Sequence, residues 1–224
     1  MADPRSIEAF IFDMDGVILD SERIIRDIWL DVMPEFGYEV GEDAFLELVG
    51  RNSQDAERII YQRFGPAFPL RDVMTATRLR IVENVQANGW PLKPGVVMLL
   101  ERLTRYGFPL AVATSTARTE AVSRLDSAGV HAFFAHVHGG DEVLRGKPSP
   151  ELFLLAARSL EVSPAGCIVV EDSEHGVEAA IAAGMRAIII PDLKRPSLAV
   201  AAKALGVYES AEGLAASLEE IVGL

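Results

Sequence analysis

The sequence predicts an α/β protein, a parallel sheet flanked by helices and interrupted by an all-helical insertion. Two patterns predict it. Short apolar runs too compact for amphipathic helices recur along the chain, with helical periodicities between them. The alternation then fails over one stretch of roughly seventy residues, where only helical patterns occur. A chain of 224 residues has room for a domain carrying such an insertion.

The strand candidates are residues 9–12, 110–114, 136–139, 167–170 and 187–190, most of them continuous in apolar or β-branched side chains as buried parallel strands require, with His136-Val137-His138-Gly139 the exception. Helices fill the intervals. Val96, Leu99, Leu100 and Leu103 form a stripe that ends before Gly107, and Val122 and Leu125 lead to Gly129. Phe153, Ala157 and Leu160 follow the helix-start signal Ser149-Pro150-Glu151, while Val177, Ala180 and Ile181 run up to Gly184.

Inside the insertion, Ile24, Ile25, Ile28, Trp29 and Val32 make a first stripe. Ala56, Ile59, Ile60 and Phe64 make a second, and residues 72–88 a third, stopped by Gly89. The expected domains are therefore 1–20 with 93–224, and 21–92. The hinges fall at Asp20-Ser21 and Pro91-Leu92-Lys93-Pro94.

Composition limits the partners. With 21 basic against 33 acidic residues the net charge is -12, which opposes attraction to nucleic acid or to an anionic membrane. An anionic substrate needs a local remedy: a cation, a placed Lys or Arg, or a helix N-terminus. Cys167 is the single cysteine and sits in an apolar run, so it reads as a small buried hydrophobe. Residues 1–5 lack the basic-then-apolar design of a signal peptide. No run approaches the roughly 18 apolar residues that span a bilayer. These features predict a cytoplasmic protein.

The first strand candidate runs into Asp13-Met14-Asp15-Gly16. Two carboxylates at i and i+2 of an extended strand share a face, and a hard cation such as Mg²⁺ relieves their repulsion. Ligands of open α/β sheets bind beyond the carboxyl ends of the strands. The residues expected there are Asp13 and Asp15 after the first strand, Thr114, Ser115 and Thr116 after the second, and Glu171, Asp172 and Ser173 after the fourth. Lys147, within Gly146-Lys147-Pro148, lies between the third and fourth.

This inventory suits phosphoryl transfer. Asp13 is expected to attack phosphorus as a carboxylate nucleophile, and Asp15 to act as acid and then base. Lys147 would balance phosphoryl charge, and Thr114 with Ser115 would bind phosphate oxygens where the next helix begins. Asp13, Asp15 and Asp172 are the expected metal ligands, with Glu171 ligating or bridging through water.

Asp13-Met14-Asp15-Gly16-Val17, then Thr114, then Lys147-Pro148, then Glu171-Asp172-Ser173 resemble the four ordered motifs of the haloacid dehalogenase superfamily phosphohydrolases. The likeness is to the helical-cap subfamily, within its beta-phosphoglucomutase-like and sugar-phosphate or phosphoglycolate phosphatase group, and covers essentially the whole chain. It implies a Rossmann-like core, Mg²⁺, an aspartyl-phosphate intermediate and a cap that covers the site, so that a monomer is expected. It implies that Arg51, after Gly50, lies in a substrate-facing loop, and Arg118 is a second candidate substrate contact.

An aspartate at position 15 belongs to phosphoryl-transferring members and argues against dehalogenation. The expected reaction is hydrolysis of a small phosphorylated metabolite, with a sugar phosphomutase as the alternative and a non-catalytic regulatory protein as a third reading. Beta-phosphoglucomutases carry a histidine where Ile25 stands here, and a lysine just after the second motif where this chain has Ala117 and Arg118. Both departures favour hydrolysis.

Overall fold

The computed structural model describes residues 6–49 and 53–223. The chain forms two compact units, one of residues up to Asp20 and from Trp90 onward, the other Ser21–Gly89. The helical unit contains α1 (Ser21–Val32), α2 (Glu42–Leu46), α3 (Ser53–Phe64) and α4 (Leu70–Asn88), plus a 3-10 turn at Met33–Phe36. Trp29, Val32, Met33, Ala44, Ile60, Phe68 and Val73 form its own apolar core. Phe64 stacks on Phe68, and Tyr38 meets both rings edge-on.

The boundary at residue 92 is corrected to residue 89. Trp90 and Leu92 pack on the core of the sheet-bearing unit. The outgoing and returning segments also pair. Asp20 N–H donates to Pro91 O at 2.9 Å, Lys93 N–H to Ile18 O at 2.9 Å, and Leu19 bridges antiparallel to Leu92. Such pairing between distant segments leaves no local periodicity to read.

The larger unit has β1 (Ala9–Phe12), α5 (Val96–Arg105), β2 (Leu110–Ala113), α6 (Arg118–Ser127), β3 (His136–His138), α7 (Glu151–Ser159), β4 (Cys167–Glu171), α8 (Glu174–Ala182) and β5 (Arg186–Ile189). It ends in α9 (Leu198–Ala201), β6 (Gly206–Val207), α10 (Ala211–Ala216) and α11 (Leu218–Val222). The strands pair in parallel in the order β3-β2-β1-β4-β5-β6, a Rossmann-like arrangement with β1 at the centre. Five of these strands match the sequence expectation. The sixth, two residues long in an Ala-rich tail, is too short to carry a pattern.

Alternation of side chains sorts the sheet into two faces. Phe10, Phe12, Val112, Ile168 and Val170 pack beneath α5, α6 and α10 with Leu99, Leu103, Leu125 and Leu214. Ala9, Ile11, Ala111, Ala113, Cys167 and Val169 pack beneath α7 and α8 with Phe153, Ala156, Val177 and Ala180. Cys167 is fully buried, and burial pushes its thiol up to about 11, so it is a packed hydrophobe as expected.

Register sets the height at which side chains emerge at the carboxyl edge of the sheet. Phe12 pairs with both Val112 and Val170, which brings Asp13 level with Glu171, and Asp13 N–H donates to Val170 O at 2.9 Å. Continuing the alternation, Asp13 follows Ile11 and Glu171 follows Val169, so both carboxylates lie on the α7–α8 side.

That side has no spare room at the start of α8. A Cβ on Gly176 would fall 1.8 Å from Glu171 Oε1, so the first turn of α8 rests directly on the glutamate side chain. Gly176→Ala is therefore expected to destabilise the protein by about 2 kcal/mol through overpacking, as measured by chemical denaturation.

Candidate active site

Asp13, Lys147, Glu171 and Asp172 come together at the carboxyl ends of β1 and β4. Lys147 Nζ donates to Asp13 Oδ1 and, at 2.7 Å, to Glu171 Oε1. The Lys147 side chain is 6% exposed, reaches the site from the loop before α7, and places its ammonium 4.8 Å from the centre of the Phe153 ring. Glu171 is 1% exposed. Its Oε2 accepts from Asp172 N at 2.9 Å, Ser173 N at 2.8 Å and Ser173 Oγ at 2.9 Å. Ser173 Oγ in turn accepts from Gly176 N at 3.1 Å, which caps α8.

The electrostatics follow from burial and pairing. Burial pushes the Asp13 carboxyl up to about 7, opposed by the Lys147 ammonium and reinforced by the negative charges of Glu171 and Asp15. Burial also disfavours the charge of Glu171, but Lys147 and the Ser173 donors overcome it and hold that carboxyl below its usual range. Burial likewise works against the Lys147 charge, and the two carboxylates more than compensate, raising its pKa.

One oxygen from each of Asp13, Glu171 and Asp172 lies within 4.8 Å of the others. Three carboxylates thus share one small volume, and the Lys147 ammonium pairs with two of them. The donor set is all oxygen, without nitrogen or sulfur, and fits a hard divalent cation of the Mg²⁺ type. Gly16 helps to form this set. Its φ of +81° turns the chain sharply after Asp15, and a Cβ there would lie 2.5 Å from Asp172 Oδ2.

Asp15 departs from the expectation. Its carboxylate is not in the three-oxygen group, because β1 ends at Phe12 and the i, i+2 rule of an extended strand no longer applies. Met14 is fully buried in the core on the α5–α6 side. Asp15 then points to α6, with Oδ2 accepting from Thr116 Oγ1 at 2.8 Å and Oδ1 from Arg124 Nη1 at 2.8 Å. A shared first-motif metal site built from both side chains is replaced by two separate placements.

Thr114 is buried at the end of β2, where its N–H donates to His138 O at 3.0 Å. Its Oγ1 accepts from Thr116 N at 3.2 Å, a contact that uses a lone pair and not the hydroxyl hydrogen. Ser115 is exposed at the start of the same turn. Arg118 is tied to the scaffold instead of the Asp13 group. Its Nε donates to Val137 O at 3.0 Å, Glu142 lies 4.0 Å away, and its backbone N–H is held by Asp141 at 2.8 Å. Arg51 lies outside the described residues.

Sequence reasoning missed Arg124 and Gly176, and it placed Thr116 at the end of the second strand without giving it a role. Arg124 stands four residues after Glu120, a spacing that reads as an exposed helix ion pair. Gly176 sits in the first turn of α8, where only the three-dimensional approach of Glu171 explains it.

Comparison with known proteins supports the same family. The family model for haloacid dehalogenase-like hydrolases matches residues 10–190. The phosphorylated carbohydrates phosphatase of Thermotoga maritima is 34% identical over 185 residues, 81% of this chain and 84% of that protein. The fructose-1-phosphate phosphatase of Escherichia coli is 34% identical over 182 residues, covering 80% of this chain and 93% of the relative. A solved Thermotoga maritima structure, provisionally described as a beta-phosphoglucomutase, superposes with a TM-score of 0.79 at 30% identity, covering 96% of this chain and 99% of that one. With its parallel sheet, its ordered motifs and these likenesses, the chain belongs to the haloacid dehalogenase-like hydrolases.

Proposed function

We propose that this protein is a Mg²⁺-dependent phosphatase that hydrolyses a small phosphorylated carbohydrate through an aspartyl-phosphate on Asp13. The observation that carries the reading is the buried Lys147 ammonium shared by Asp13 and Glu171, with Asp172 beside them. The names of the relatives point to phosphorylated sugars as the substrate class.

In this reading an Asp13 carboxylate oxygen attacks phosphorus. The ester P–O bond breaks with its electron pair on the alcohol oxygen, and that oxygen takes a proton from Asp15. Asp15 then removes a proton from the water that attacks the acyl phosphate, releasing inorganic phosphate and restoring Asp13. Lys147 orients Asp13 and balances charge on the phosphoryl oxygens. Thr114, with its hydroxyl hydrogen directed by the Thr116 contact, serves the same oxygens. Asp13 and Asp172 would hold Mg²⁺, with Glu171 in reach, and the bound ion would supply positive charge opposite the phosphoryl group.

The core residues are all committed to phosphoryl and metal chemistry, which leaves choice of the alcohol to the helical insertion, with Arg51 as its candidate contact. Acidic net charge and the small substrate class support a cytoplasmic monomer. Among the described residues no helix is long and apolar enough to cross a membrane.

Asp13→Asn is expected to abolish phosphate release from sugar phosphates and aryl phosphates alike while the circular dichroism spectrum is retained. Wild-type turnover by that variant would remove the nucleophile assignment. Chelation with EDTA should stop the wild-type reaction, and added Mg²⁺ should restore it in a phosphate-release assay. With beta-glucose 1-phosphate, free phosphate is the expected product, and glucose 6-phosphate formation with little phosphate release would instead establish the mutase.

A further inference from the structure

Arg124 is held in a way that an ordinary helix-surface arginine is not. Its side chain is 15% exposed, although α6 presents most of its first turns to solvent. Nη1 reaches Asp15 Oδ1 at 2.8 Å, across 109 residues of sequence, while Nη2 pairs with Glu120 at 2.5 Å on the same helix. The guanidinium carbon lies 4.4 Å from the centre of the Trp90 ring. Nε is buried without a hydrogen-bond partner. The fork is therefore split between two carboxylates at the expense of one donor, an arrangement that fixes direction and not maximal pairing.

Asp15 receives its second donor from the same element. Thr116, Glu120 and Arg124 are spaced four apart along one side of α6 and the turn before it. Thr116 Oγ1 binds one Asp15 oxygen and Arg124 the other, so the carboxylate has a defined rotamer on the α6 side. Trp90, on the segment returning from the helical unit, backs the guanidinium from its other face.

We propose that Arg124 is the positioning residue of the acid–base group, setting the direction from which Asp15 meets the ester oxygen. The proposal rests on the acid–base role assigned to Asp15 above. Thr116 shares the task, and Trp90 and Glu120 keep the guanidinium in place. A positioned acid matters in proportion to how much the leaving oxygen needs its proton. An alkyl alkoxide of a sugar phosphate needs it, and a 2,4-dinitrophenolate does not.

The test compares kcat/KM, which reports the steps through P–O cleavage, for an alkyl phosphate and for 2,4-dinitrophenyl phosphate. Arg124→Ala should lower kcat/KM for the alkyl ester about 10- to 100-fold and for the activated ester by no more than about threefold. Arg124→Lys keeps the charge and loses the fork, so it should show the same selectivity to a smaller degree if the alanine variant does not fold. Combining Arg124→Ala with Asp15→Asn should add little to the loss caused by Asp15→Asn alone. Equal losses on the two esters, or no loss on either, overturn the proposal. If Asp15→Asn is selective for the alkyl ester and the Arg124 variants are not, the positioning role fails and the acid assignment stands. If Asp15→Asn itself affects both esters equally, the acid assignment fails and the positioning role with it.

Discussion

The arrangement of this protein depends on one buried cation, the Lys147 ammonium, enclosed between two carboxylates at the edge of a parallel sheet. Taking those charges out of water costs several kcal/mol per ion. The structure offsets the cost with hydrogen bonds on every side: Lys147 to Asp13 and Glu171, and Glu171 to Ser173 and two backbone N–H groups. Phe153 adds its ring face to the ammonium. Glu171 thus keeps its charge under burial that would otherwise neutralise it, while Asp13, with fewer donors, is pushed toward neutrality. The same burial therefore has opposite outcomes on two adjacent carboxylates, decided by how many donors each one has.

The sheet makes that enclosure possible. Because Phe12, Val112 and Val170 are in register, Asp13 and Glu171 emerge side by side, and alternation turns both toward α7 and α8. Lys147 leads into α7, and Ser173 caps α8, so the elements that cover this face also supply the charges and donors for the site. Glycine at 176 lets α8 rest on Glu171, and glycine at 16 lets the chain turn against Asp172.

The first-motif aspartates divide between the two faces. Asp13 belongs to the cluster on the α7–α8 side, and Asp15, after the buried anchor Met14, belongs to α6 through Thr116 and Arg124. Separation gives two like charges, two positions apart in sequence, different partners. The strand rule that predicted a common face was sound for a strand, but β1 ends at Phe12 and Asp15 stands three residues beyond it. Arg118, just past the second motif, uses its Nε to tie α6 to the β3 backbone, while its side chain stays more than half exposed.

The sequence alone determined strands β1 to β5, the helical insertion and the order of the four motifs, because apolar periodicity and short motif spacing are local properties that the chain carries unfolded. It therefore identified Asp13, Lys147, Glu171 and Asp172 as a group. Tertiary structure alone decided which oxygen each donor reaches, that Asp15 pairs with Arg124, that residues 90–92 belong to the sheet-bearing unit, and why position 176 is glycine. Those outcomes depend on contacts between segments up to a hundred or more residues apart, as with Asp15 and Arg124. No local pattern records such contacts, since each partner alone looks like an ordinary surface or helix residue until the sheet brings them together.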